Sequence, residues 1–249
     1  MPLTLRDHLL RVEARVAPAS APLPITFDYT GGLRRWGWKG NNIDGDCAAV
    51  SLEDLRMAKA TAAASAVERI LFYVGFRPPG DPYTLDIYAA YLATLGEKPG
   101  PDVGVYVDGF LEWCRTHQPK PLLLAWARVD LAVDVDATIR ALASQYTGAM
   151  LTLELTYNSY ANYWKPTPWD VGPSPNDQPS PALWHEVALV RATPDFDVIA
   201  TWNQNKDVTP AYMQLCARAC YVVLMQEDTW RPDFAAKMAA LQSLPNAHF

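Results

Sequence analysis

Residues 40–75 read GNNIDGDCAAVSLEDLRMAKATAAASAVERILFYVG, and this stretch governs how the rest of the chain is understood. A loop rich in Gly, Asn and Asp ends at Asp46-Cys47, and from Ala48 onward the chain is alanine-rich, with no Pro or Gly until Gly75. Alanine costs least in a helix and Gly and Pro cost most, so the pattern predicts one long helix from about Cys47 to Tyr73. Its first residue is then a cysteine. At that end unpaired N–H groups and the helix dipole favour negative charge on sulfur, which is what a nucleophilic thiol needs.

Further along the chain, 81–96 (DPYTLDIYAAYLATLG) and 107–118 (VDGFLEWCRTHQ) have helical period and end at Gly96 and Pro119. The texture changes near 121. LLLAWARV (122–129) reads as a strand, 134–148 as a helix, and AMLTLELT (149–156) as a strand with Leu151, Leu153 and Leu155 on one face. A proline- and aromatic-rich loop fills 157–182, longer than compact domains tolerate without a purpose. WHEVALVRA (184–192) and DVIATWN (197–203) predict two strands across a turn. VTPAYMQLCARAC (208–220) predicts a helix capped by Thr209 with Pro210 in its first turn, and YVVLM (221–225) a last strand. Residues 1–16 and 228–242 have helical period, and APASAPLP (17–24) breaks the first of these. The expected order is an α+β domain over 25–227, helical first and antiparallel and strand-rich second, between an arm at 1–24 and a helical tail at 228–249. A cleft between the halves would be its natural site.

Composition narrows the partners. Half of the 249 residues are hydrophobic, 19% are charged and the net charge is −6, with no basic cluster, so neither nucleic acid nor a membrane span is expected. The N-terminus has no apolar signal region, which predicts a soluble protein made in the cytoplasm. Four cysteines without a Cys-x-x-Cys pair argue for reduced thiols. Cys114 with His117, and Cys216 with Cys220, have helical spacing but match no zinc motif, so they are expected in the core with no metal bound. Asp134 and Asp136 lack the rest of a calcium loop.

His185 lies in the strand Trp184-His185-Glu186-Val187-Ala188-Leu189-Val190, 138 residues after Cys47. Papain-type enzymes separate their cysteine and histidine by about 130–150 residues. Cysteine at the head of a helix, His-x-Val-x-Leu-Val on a strand and a second strand ending Thr201-Trp202 together resemble the papain-like cysteine peptidase superfamily. GNNIDGDCAA is more similar still to papain-like proteins of actinobacterial phage genomes, some of them minor tail or virion proteins.

The resemblance implies a papain-like α+β fold over roughly 36–245, and it implies roles. Cys47 would be the nucleophile and His185 its general base and later acid. Asn41, six residues before the cysteine, would steady the oxyanion, with Asn42 as the rival donor. Aligning Trp202 on the family's Asn-Ser-Trp-Gly puts Ala200 where the orienting Asn belongs, so Asn203, Gln204 or Asn205 becomes the candidate to hold the imidazole. Two functions are then open. One is a cysteine peptidase or amidase acting through an acyl-enzyme on a peptide or protein, without cofactor. The other is a degenerate papain-fold protein built into a phage particle among neighbouring virion proteins. Ala200, the bulky Trp184 before the histidine, and Asp44 and Asp46 beside the thiol argue for the second. Trp36, Trp38, Tyr157, Tyr160, Tyr163, Trp164 and Trp169 make the loops around the expected cleft aromatic. They suit a satellite core, a protein interface or a carbohydrate or peptide platform, with the interface preferred.

Overall fold

The computed structural model describes residues 25–36, 45–63, 84–101, 103–117, 122–229 and 231–249. The helix expected over 1–16, the arm at 17–24, Asn41, Asn42 and Asp44, and the long helix beyond Ala63 lie outside the described residues.

Helix α1 (Cys47–Ala63) begins at the cysteine, and α2 (Thr84–Thr94) and α3 (Val107–Thr116) come where apolar spacing puts them. The remaining helices are α4 (Val135–Tyr146), α5 (Tyr157–Ala161), α6 (Pro210–Cys216) and α7 (Phe234–Gln242). The strands are β1 (Phe27–Asp28), β2 (Leu123–Asp130), β3 (Ala149–Thr156), β4 (Pro179–Ala192), β5 (Asp197–Thr201), β6 (Gln204–Val208), β7 (Ala217–Met225) and β8 (Ala247–His248). They form one sheet in the order β6-β5-β4-β3-β7-β2-β8, with β1 beside the end of β4, and every ladder is antiparallel. This mixture of helix and antiparallel sheet is α+β.

Three elements differ from the sequence expectation. Ala217–Cys220 are strand, not the end of a helix, because β7 lies mid-sheet: Ala217 and Cys220 pair with Leu153 and Leu151 of β3, and Cys220 with Val129 of β2. Ladder bonds on both sides outweigh a weak helical preference. Strand β6 is absent from the sequence pattern, since QNKDV has no apolar alternation; it forms because the two-residue turn Trp202–Asn203 folds it back on β5. The stretch 157–182 is not continuous loop: it contains α5, a 3₁₀ turn at Pro175–Asp177 and the start of β4.

Alternation along the strands gives the sheet two apolar faces. Leu151, Leu153, Val187, Leu189 and Ile199 pack with α4 and α6 through Ile139, Tyr146, Tyr212 and Met213. Met150, Ala188, Val190, Ala200 and Tyr221 pack on the other face with α1, α2 and α3 through Leu52, Leu55, Leu92 and Phe110.

Candidate functional site

Cys47 opens α1 beside Glu186 of β4. Gly45 leads into it: its N–H donates to the Gly100 carbonyl at 3.0 Å, and a Cβ there would stand 2.7 Å from the Val103 oxygen, so only glycine lets these loops approach. Asp46 is buried, and its carbonyl accepts the first bond of the helix from Val50 N–H at 3.0 Å. The Cys47 residue is partly exposed, but its thiol is enclosed. Burial, then the Glu186 and Asp46 carboxylates, push the thiol up to about 12, against a weaker opposite pull from the backbone amides of Glu186 and Ala48. Whatever the helix end contributes, desolvation wins.

His185 faces the other way. On β4 it is in register with Leu153 and alternates with Val187 and Leu189, so its ring lies on the α4–α6 face of the sheet. There Nε2 shares a 2.8 Å hydrogen bond with Thr201 Oγ1, and the ring stacks on Trp202 at 4.3 Å with 15° between planes. Burial lowers its pKa to about 3, so the imidazole is neutral at physiological pH. Glu186, one residue on, faces α1 beside Cys47. Thr152 Oγ1 donates to its Oε1, Oε2 has no hydrogen-bond partner, and burial raises the carboxyl to about 8.

The structure therefore brings Cys47 together with Glu186, and His185 with Thr201 and Trp202. Among the described residues no hydrogen bond joins Cys47 to His185. The cause is the two-residue period of a strand, which sends neighbours to opposite faces. Trp184, on the Glu186 side of the strand, is half exposed, and its indole N–H donates to the Pro181 carbonyl at 2.9 Å.

The residues expected to orient the imidazole are used elsewhere. Gln204 Nε2 donates to the Tyr163 carbonyl at 2.6 Å; Asn205 donates to the Leu33 carbonyl at 2.8 Å and accepts from Trp36 Nε1 at 2.7 Å. Ala200 lies on the α1 face, in register with Ala188. Asn203 has φ 64 and Trp202 φ 42, as a two-residue hairpin turn requires. Asn tolerates that region but Trp does not; here the indole is held by rings of His185, Tyr160, Tyr163 and Trp169. Sequence reasoning missed Thr201, whose only signal was its place beside the tryptophan. It missed Glu186 as well, visible only once the face of β4 is known.

On the α1 face the polar side chains continue past Glu186. Tyr221 Oη donates to Asp108 Oδ1 at 2.8 Å, and Arg128 bonds Asp130 at 2.8 Å and Asp108 at 3.2 Å. A groove of about 310 Å³ opens there, lined by Asp108, Trp126, Arg128, Asp130, Asn246 and His248. His248 stacks flat on Trp126 at 4.0 Å. The cysteines and histidine weighed as zinc ligands are divided by the sheet: Cys114 packs on the α1 face, Cys216 and Cys220 on the other, and His117 stacks on Trp113. Among the described residues no three His, Cys, Asp or Glu side chains converge as metal ligands. No helix among them is long and apolar enough to cross a membrane. No family model matches the chain, and no curated protein is similar to it.

Proposed function

We propose that this chain is a structural or binding protein on a papain-like core that does not hydrolyse peptides, of the kind carried in a phage particle. Supporting the papain-like part is a helix that starts at Cys47 and packs against an antiparallel sheet through Leu52 and Leu55. The observation that carries the non-hydrolytic part is the pairing of Cys47 with Glu186 rather than His185. An acyl-enzyme mechanism needs a base within about 2.6–3.2 Å of the thiol to take its proton. Here the neighbour is a carboxyl that ionises near 8, well below the thiol at about 12, so it resists thiolate formation instead of promoting it.

The rate of Cys47 alkylation by iodoacetamide as a function of pH tests this, since only thiolate reacts. The expected profile climbs through about pH 9 with no plateau near neutrality, and it is the same in His185→Ala. Fluorogenic peptide and amide libraries should be hydrolysed no faster than by Cys47→Ala. A plateau near neutral pH that His185→Ala removes would move the assignment to the cysteine hydrolase.

A further inference from the structure

Between β3 and β4 the chain spends residues 157–178 on a segment that is held rigidly yet covers little of the core. Thr156 and Ser159 form a capping box at the start of α5. Lys206, itself buried, donates to the carbonyls of Lys165 at 2.6 Å and Thr167 at 2.7 Å, and Gln204 to that of Tyr163. Trp169 is tied into the backbone on both sides: its N–H donates to the Asp207 carbonyl at 2.9 Å, and its carbonyl accepts from Thr209 N–H at 3.0 Å. Tyr163 and Trp169 turn inward onto Trp202. Tyr157, Tyr160 and Trp164 turn outward, 52%, 52% and 64% exposed.

Exposed Tyr and Trp rings on a rigid support give a partner large contact area with little ordering cost. The chemistry around them selects the partner. Every large apolar side chain exposed in this segment is Tyr or Trp, with no exposed Leu, Ile, Val, Met or Phe of the sort that fills a protein interface core. Both carboxylates of the segment are engaged within the fold, Asp170 by Thr209 at 2.7 Å and Asp177 by Asn158 at 2.6 Å. Lys165 leans over the Trp164 ring at 5.7 Å, and the segment has no arginine. What remains is aromatic faces edged by phenol hydroxyls and carboxamides. A pyranose ring is the complement: an apolar C–H face to lie on a ring, and a rim of hydroxyls for the polar edges.

We propose that Tyr157, Tyr160 and Trp164 form a binding platform for a neutral oligosaccharide. Tyr157 and Tyr160 are one helical turn apart and share a side of α5, and Trp164 comes in the next turn, so successive sugar units meet successive rings. The site does not depend on the state of Cys47.

Calorimetric and tryptophan-fluorescence titrations of the full chain with cellotetraose, chitotetraose and maltotetraose test it. Saturable binding of at least one, at about millimolar or tighter, is expected. Trp164→Ala and Tyr157→Ala should each weaken it about tenfold with the thermal midpoint unchanged, because these rings are exposed. Tyr106→Ala, an exposed ring on another part of the molecule, should bind as the parent does. No binding of any of the three at about 10 mM, or binding that survives both ring substitutions, would overturn the proposal. Self-association that Trp164→Ala abolishes would also overturn it, and would assign the rings to an interface between copies.

Discussion

Glu186 is the side chain on which most of the site's electrostatics turn. Its carboxyl has an ordinary value of 4.5 and sits at about 8 in the fold, because burial penalises its charge. Between those values the folded chain keeps a proton that the unfolded chain has released, so stability falls as pH rises across that window. Asp197, raised from 3.8 to about 8 by burial and by Asp136, acts with the same sign. His185 has the opposite sign: lowered from 6.5 to about 3, it stays neutral in the fold while the unfolded ring takes up a proton, so it costs stability as pH drops from 6.5 towards 3. Glu186→Gln should therefore flatten the decline from about pH 5 to 8, by at most about 1.4 kcal/mol per pH unit. Urea unfolding of both proteins at several pH values in that window measures it, and parallel curves would show that Glu186 is not held neutral.

Among the joints between elements, the one from α4 to β3 is the tightest described. Thr147 (φ 63) and Gly148 (φ 93) end the helix in the left-handed region, and both N–H groups reach the Ala143 carbonyl. A Cβ on Gly148 would stand 2.4 Å from Leu55 Cδ1 and 2.9 Å from the Leu189 carbonyl oxygen, which presses on both α1 and β4. Gly96, after α2, has a similar backbone at φ 75 but nothing within 4 Å of the same position. Gly96→Ala should therefore cost only the conformational part, about 1 kcal/mol, and Gly148→Ala about 2–4 kcal/mol once overpacking is added. Chemical denaturation of the pair separates the two contributions; equal losses would mean that Leu55 moves aside freely.

Across the whole molecule, one buried ionic network ties the first helix to the last part of the chain. Lys59 of α1, fully buried, pairs with Asp228 at 3.0 Å and donates to the Tyr146 carbonyl at 2.5 Å, and burial lowers its pKa. Asp228 also accepts from Met225 N–H at 2.9 Å. Lys237 of α7 donates to Thr147 Oγ1 at 2.9 Å and pairs with Asp233 at 3.2 Å. Removing one partner strands a charge where no water can replace it, so Asp228→Ala should cost about 3–5 kcal/mol. Replacing both, Lys59→Met with Asp228→Leu, should recover part of that loss. A double-mutant cycle on unfolding free energies gives the coupling, and simple additivity would show that the two side chains act independently.

Local chemistry alone dictates structure in this chain wherever it is one-sided. The alanine-rich run had to be a helix, with Cys47 at its start because Gly45 and the loop before it could not continue the helix. Leu151, Leu153 and Leu155, with polar residues between them, had to share a face, and Thr209-Pro210 had to open a helix. Elsewhere long-range packing makes the choice. Val187, Ala188, Leu189 and Val190 are apolar at every position because β4 is covered on both sides, so the alternation that would assign His185 to a face is silent in the sequence. The face became definite only when α1 packed on the even-numbered side, and that put Glu186, not His185, beside the thiol. Ala217–Cys220 likewise became strand through partners far away in the chain, β3 and β2, which no local propensity records.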